Sequence, residues 1–321
     1  MTKPATIKVY NWQTLPSLKQ LLPGKNKPIL ILGSRHISPK RIQQLTRKLI
    51  NRHSVIWGCL TEKHISGLED CTQFQTLSVA NLTQALQEIK PTSKQLLGIL
   101  QYSQNDAVAV IKKTPWSAVI GINGSWHRAF HYRDEYQAIK KLHLPYKLVS
   151  SFINEAEARQ YFEQVKPKLV SLQKSIGQNF SADELLKLAT QAGKNSFDYT
   201  FQTGAVLAKN GRLLLWAHNA VVPYETYMLH AGASKEKHLT PPQDLNHFDT
   251  NHAEVELLLK ALDQKLNLID CSLYINLMPC PICARMLSQT PLKKIVCQLD
   301  HSQGYGKKIL GERLELLQNK N

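Results

Sequence analysis

His252-Ala253-Glu254 and, further along, Pro279-Cys280-Pro281-Ile282-Cys283 decide how the second half of this chain folds, because the two segments read as one site. Each opens a helix after a strand or loop. Together they offer one imidazole and two thiolates, which are good ligands for zinc. Three protein donors leave a fourth tetrahedral position for water, as catalytic rather than architectural sites do. Zinc lowers the pKa of a bound water towards neutrality, and a carboxylate two residues from the histidine can take that proton and pass it on. Glu254 is that carboxylate. A structural site would want a fourth Cys or His, and the nearby candidates are Cys271 and Cys297. Both lie in apolar, strand-like stretches, Cys271-Ser272-Leu273-Tyr274-Ile275-Asn276-Leu277 and Lys294-Ile295-Val296-Cys297-Gln298-Leu299, and read as core cysteines. The competing reading is a structural or decayed zinc site.

Upstream of the site, Ser181-Ala182-Asp183-Glu184 has the form of a capping box ahead of Leu185, Leu186 and Leu188, so a helix starts there. Gly204-Ala205-Val206-Leu207-Ala208-Lys209 and Arg212-Leu213-Leu214-Leu215-Trp216-Ala217 flank Asn210-Gly211, the strongest short hairpin signal. The hairpin ends at His218-Asn219. Downstream, residues 292–299 read as a strand, 305–310 as a short helix and 313–318 as a last strand, parallel to the one before it by a crossover.

His-x-Glu followed by Pro-Cys-x-x-Cys is the signature of zinc deaminases of nucleobases. A hairpin ending in Asn, a variable loop, His-Ala-Glu, a strand and then Pro-Cys-x-x-Cys resembles the cytidine and deoxycytidylate deaminase family. Ile295-Val296-Cys297, Asp300-His301 and Tyr305-Gly306 are similar to the tail of deoxycytidylate deaminases, whereas Pro-Cys-Pro-Ile-Cys also resembles tRNA adenosine and guanine deaminases. The resemblance covers residues 181–321. It implies a three-layer α/β/α sandwich on a mixed five-stranded sheet and one catalytic zinc on His252, Cys280 and Cys283. It also implies zinc-bound hydroxide as nucleophile, with Glu254 as proton shuttle at C4 and N3 of a cytosine ring. Asn219 matches the family's substrate asparagine, and the backbone around Ala253 and the Met278-Pro279 turn would read the pyrimidine edge. A longer loop than in small relatives, residues 220–251, reads as a polar lid or binding loop. Its three histidines come without a cysteine, so a second zinc is not expected.

The first half reads differently. Pro28-Ile29-Leu30-Ile31-Leu32-Gly33, Val55-Ile56-Trp57-Gly58, Ala107-Val108-Ala109-Val110-Ile111, Ala118-Val119-Ile120-Gly121-Ile122 and Tyr146-Lys147-Leu148-Val149 are continuous apolar runs expected as strands. Helical spacing lies between them, at residues 39–51, 82–89 and 135–142. Such alternation predicts a parallel sheet covered on both faces, a Rossmann-like or flavodoxin-like domain. The pattern breaks at residues 165–179, which sets the expected domains at 1–170 and 171–321.

Of the 40 Lys and Arg residues, 24 lie in 1–170 against 10 acidic residues, whereas residues 171–321 carry 16 against 14. The basic excess of the first half suits a phosphate-bearing partner, or is simply a lysine-rich soluble surface. Arg35 in Ser34-Arg35-His36, and Trp126, His127 and Arg128 in the alternating cation and aromatic run after Ile122, are its candidate phosphate or nucleic-acid contacts. No dinucleotide or P-loop glycine fingerprint follows any of its strands.

Six cysteines without an apolar leader or a bilayer-length apolar run suggest a cytoplasmic protein without a membrane partner. The expected activity is hydrolytic deamination of a cytosine nucleotide, dCMP-like. The alternatives are a DNA or RNA deaminase whose basic domain holds the substrate, and a zinc-containing nucleic-acid-binding protein without turnover. The partners expected are a nucleotide or nucleic acid and, as the family resemblance implies, a second copy of the chain.

Overall fold

The computed structural model describes residues 7–15, 27–33, 36–91, 95–124, 133–198, 200–234 and 249–317. The chain divides into two compact units, Met1–Gln164 with Thr226–Phe248, and Val165–Glu225 with Asp249–Asn321. No helix among the described residues is long and apolar enough to cross a membrane.

In the first unit, β1 (Lys8–Asn11), β2 (Ile29–Leu32), α1 (Pro39–Ile50), β3 (Val55–Leu60), α2 (Val79–Leu86), β4 (Leu97–Tyr102), α3 (Ala107–Lys113), β5 (Ala118–Ile122), α4 (Asp134–Lys141), β6 (Tyr146–Val149) and α5 (Glu155–Val165) follow one another. The six strands pair in the order β1-β4-β3-β2-β5-β6, all parallel. Leaving aside β1, this is the Rossmann order rather than the flavodoxin order, with the reversal between β2 and β5. The sequence pattern could not choose between them, because strand order is set by pairing and not by local periodicity. β2 and β3 are buried along their whole length, as strands covered on both faces must be.

One expected strand is a helix. Residues 107–111 form the body of α3, and the strand between β3 and β5 in the chain is instead Leu97-Gly98-Ile99-Leu100-Gln101-Tyr102. A five-residue apolar run cannot distinguish a strand from a buried helical turn. Here Ala107, Val110 and Ile111 are the inward residues, at helical spacing, and the 3-10 turn Gln104–Asp106 feeds directly into them.

The second unit contains α6 (Ala182–Gly193), β7 (Gly204–Lys209), β8 (Arg212–His218) and β9 (Ala220–Val221). The chain then passes through α7 (Tyr227–Ala231), which belongs to the first unit, before β10 (Thr250–Asn251), α8 (Ala253–Asp263), β11 (Cys271–Leu277), α9 (Pro281–Ser288), β12 (Lys294–Leu299), α10 (Tyr305–Leu310) and β13 (Leu314–Leu316). Its sheet runs β13-β12-β11-β7-β8, with β11, β12 and β13 parallel and β7 and β8 antiparallel. α6 covers one face, through Leu185, Ala189 and Ala192 against Val206, Ala208 and Leu213. α8, α9 and α10 contribute Leu257, Leu287 and Leu310 to the core on the other face, which completes the expected α/β/α sandwich on a mixed five-stranded sheet. Ser181 caps α6 in the capping box read from sequence, and the hairpin turns at Asn210 and Gly211, both at positive φ. Cys271 and Cys297 are fully buried in this core.

Residues 220–251 are not wholly a polar loop. Val221, Met228, Leu229 and Ala233 are buried, and β9 pairs antiparallel with β10 to make a two-stranded ribbon. Beyond the ribbon, Thr226 donates its hydroxyl to Ala158 O at 2.8 Å. Ser151 N donates to Leu229 O at 3.0 Å, and Asn123 Nδ2 to His230 O at 3.2 Å.

Candidate metal centre and active site

Two helix starts and one strand end build the site. His252 is the N-cap of α8, in extended backbone, which puts Glu254 in the first turn of the helix and turns it inward. Cys280 is the N-cap of α9 with Pro281 in the first turn, where a missing N–H costs nothing, and Cys283 follows one turn later on the same face. Gly306 on α10 lies against this turn, where a Cβ would stand 2.7 Å from Pro279 O.

The donor atoms of His252, Cys280 and Cys283 all lie within 4.8 Å of one another. Nδ1 of His252 is 3.6 Å from Cys280 Sγ and 3.4 Å from Cys283 Sγ. Tetrahedral zinc with ordinary bond lengths would hold nitrogen and sulfur about 3.6 Å apart, so these residues fit the ion. Their ionisation points the same way. The Cys280 thiol is held down to about 3, chiefly by a hydrogen bond from Cys283, with further help from His252 and from the backbone N–H of Cys283. Cys283 is pushed up by that same bond and by burial, and the His252 imidazole is raised by its bond to Cys280. A bound cation would favour the deprotonated form of all three.

Glu254 is 2% exposed. Burial pushes its carboxyl up to about 7, against the lowering effect of its own backbone N–H and of His252. It lines a narrow cleft of about 40 Å3 together with His252, Cys280, Asn219 and Thr203. Leu277, Met278, Phe201 and His301 complete the wall, and the Phe201 and His301 rings meet edge to face with centroids 5.4 Å apart.

Asn219, buried at the end of the hairpin, accepts from Ala253 N at 2.9 Å through Oδ1 and donates from Nδ2 to Phe201 O at 3.2 Å. Its own N–H goes to Thr203 O. Ala253, expected to offer backbone to a ligand, thus has its N–H taken by Asn219. Arg35, Trp126, His127 and Arg128 lie outside the described residues.

The sequence reading missed Phe201 and Thr203 as cleft residues, and passed over His301 although it quoted it, whereas Met278, of the turn expected at the base edge, does line the cleft. No local pattern marks Phe201 or Thr203. They reach the cleft because Asn276 accepts from Gly204 N at 3.0 Å and donates to Gln202 O at 2.8 Å, which pins the start of β7 to the end of β11.

Residues 181–299 match the cytidine and deoxycytidylate deaminase zinc-binding region, so the C-terminal half carries the region that its motifs resemble. Among curated proteins, an uncharacterised deaminase encoded in the luxG 3′ region of Aliivibrio fischeri is 29% identical over 116 residues, 36% of this chain and 71% of the relative. Two solved structures are also similar. The dCMP deaminase of cyanophage S-TIM5 with dCMP and dUMP has 22% identity and a TM-score of 0.34, over 42% of this chain and 95% of that one. Guanine deaminase of Bacillus subtilis has 20% identity and a TM-score of 0.26, over 39% of this chain and 69% of that one.

Proposed function

We propose that residues 171–321 form a domain that deaminates a cytosine nucleotide hydrolytically, with dCMP as the leading substrate. The observation that carries this reading is the buried Glu254 carboxyl, which lines the same cleft as His252 and Cys280, whose ligand atoms cluster with that of Cys283. The matched region, named for cytidine and deoxycytidylate deaminases, supports the choice of base.

His252, Cys280 and Cys283 would hold one zinc, which when bound would supply a water whose pKa is lowered to about 7. Glu254 would take a proton from the attacking water as its oxygen adds to C4 of the base, and would give that proton to N3. A group whose pKa lies near the working pH both accepts and returns a proton with little loss of driving force. Glu254 would then carry the proton of the C4 hydroxyl to the exocyclic amine, so that the C4–N bond breaks, ammonia leaves and a carbonyl remains at C4. Leu277, Met278 and Phe201 give the planar ring an apolar slot and keep bulk water from the carboxyl. Asn219 and Thr203 face the polar side of the ligand. Asn219 also orients the first turn of α8 through its bond to Ala253, which fixes where Glu254 points.

The test is ammonia release from dCMP, CMP, deoxycytidine and single-stranded DNA and RNA oligonucleotides, by zinc-loaded wild type beside Glu254→Ala. Turnover of dCMP that disappears in the variant is the expected result. Turnover of oligonucleotides alone would overturn the free-nucleotide assignment, and silence on all five substrates would overturn the activity.

A further inference from the structure

All strands of the first unit run the same way, so each crossing helix returns the chain to the amino end of the next strand. Backbone bonds line those ends up side by side. Val55 N donates to Leu96 O at 2.8 Å, Ile29 N to Ser54 O at 2.9 Å, Ser117 N to Pro28 O at 2.9 Å and Val119 N to Pro145 O at 2.9 Å. The strands β4, β3, β2, β5 and β6 thus present one continuous edge, about 19 Å across at about 4.8 Å per gap.

That edge is strongly basic. Its described segments, residues 27–28, 47–54, 86–91, 95–96, 112–117 and 140–147, hold ten Lys and Arg, all exposed, against one acidic residue, Glu88. Glu88 pairs with Arg47 at 3.6 Å. Lys48, Arg52, Lys112, Lys113, Lys141 and Lys147 have no ion-pair partner among the described residues.

Helix dipoles account for only part of this charge. α1, α3 and α4 each end on two cations, whereas a helix C-terminus is worth about half a charge. Lys27, before β2, and Lys147, within β6, lie away from any helix end. Nor is the charge spread evenly, as a merely solubilising surface would spread it. The opposite ends of the same strands mix both signs, with Lys63 and Arg133 among Glu62, Glu69, Asp70 and Asp134.

The same edge carries a stacking surface. Tyr146, at the start of the edge strand β6, is 39% exposed beside Lys147, and Tyr136 braces its ring edge to face with centroids 5.3 Å apart. Cations in a row suit a phosphate chain, and an exposed aromatic ring suits an unpaired base, which a duplex would keep stacked inside. A width of about 19 Å accommodates about five nucleotides at about 3.4 Å each. We infer that the amino-end face of this sheet binds single-stranded nucleic acid. The lysines of α3 and α4 take the phosphates, and Tyr146 takes a base. The inference is independent of the deaminase reading, because no residue of the metal centre takes part.

Fluorescence anisotropy of labelled oligo-dT and oligo-U with the zinc-loaded full chain tests this. Both are expected to bind, with affinity falling as salt rises, because each neutralised phosphate releases counterions. The double variant Lys112→Ala with Lys141→Ala should lower the slope of log affinity against log salt by about 1.4, at about 0.7 per contact. Tyr146→Ala should weaken binding by about fivefold or more, and Tyr146→Phe should keep it. Lys174→Ala with Lys187→Ala, an equal loss of charge in the second unit, should change neither affinity nor slope. His252→Ala, which breaks the metal site, should also leave binding intact, so failure here is distinguishable from failure of the deaminase reading. Unchanged melting of the lysine and tyrosine variants separates lost binding from lost folding. An equal loss in the control pair, tighter binding of a DNA duplex than of oligo-dT, binding lost in His252→Ala, co-sedimentation with phosphatidylserine vesicles in place of oligonucleotide binding, or no anisotropy change would each overturn the inference.

Discussion

Asn219 Oδ1 accepts the backbone N–H of Ala253 at 2.9 Å, a bond between the end of the hairpin and the first residue of the helix that carries Glu254. Through it, a residue expected to touch ligand also sets the aim of Glu254. Asn219→Ala strands a buried N–H, which costs about 1–3 kcal/mol. Denaturant unfolding should show that loss, and Asn219→Asp, which keeps the acceptor for Ala253 N but loses the donor to Phe201 O, should recover only part of it.

Glu254→Gln keeps the shape of the side chain and removes its proton chemistry. Turnover of dCMP should fall by about 10²–10⁴, the range for a positioned acid–base group, while zinc content stays unchanged. Loss of zinc together with activity would instead make Glu254 a structural support of the metal.

The same residue gives the metal-free protein a pH signature. Its carboxyl is near 7 when folded, against about 4.3 in an unfolded chain, so the fold favours the neutral form. Stability is therefore full below the unfolded value and declines as pH rises through about 7, by on the order of 3 kcal/mol in total. After zinc removal, the unfolding midpoint of Glu254→Gln should exceed that of wild type at pH 8, and the two should converge near pH 4.

Removing one thiolate leaves two ligands. Cys280→Ser and Cys283→Ser should each lower zinc content, measured by atomic emission, well below that of wild type. A chelator should lower the melting temperature of wild type and change neither variant, since a bound ion stabilises only the state that holds it.

Gly204 tests the packing under the site. A Cβ there would meet Ala189 O at 2.1 Å and Gly193 N at 2.2 Å, both backbone atoms of α6. Gly204→Ala should cost about 3 kcal/mol, at the upper end for overpacking, because neither backbone atom can swing aside.

The grouping of His252, Cys280 and Cys283, the capping box at Ser181, the Asn210-Gly211 turn and the core roles of Cys271 and Cys297 were all legible in the sequence. Each depends on residue chemistry within a few positions, as a cap, a turn or a Cys-x-x-Cys spacing must. Residues 107–111 failed that test, because short apolar runs suit a strand and a buried helix equally until a partner is chosen.

The sequence by itself determined the His-Cys-Cys donor set and the two α/β classes, since both rest on local spacing and periodicity. Only the tertiary structure decided the Rossmann order of the first sheet, the passage of residues 226–248 into the first unit, and the meeting of Phe201 with His301 across the cleft. These are long-range pairings, selected by which buried surfaces fit together over the whole chain, and no local segment encodes that choice.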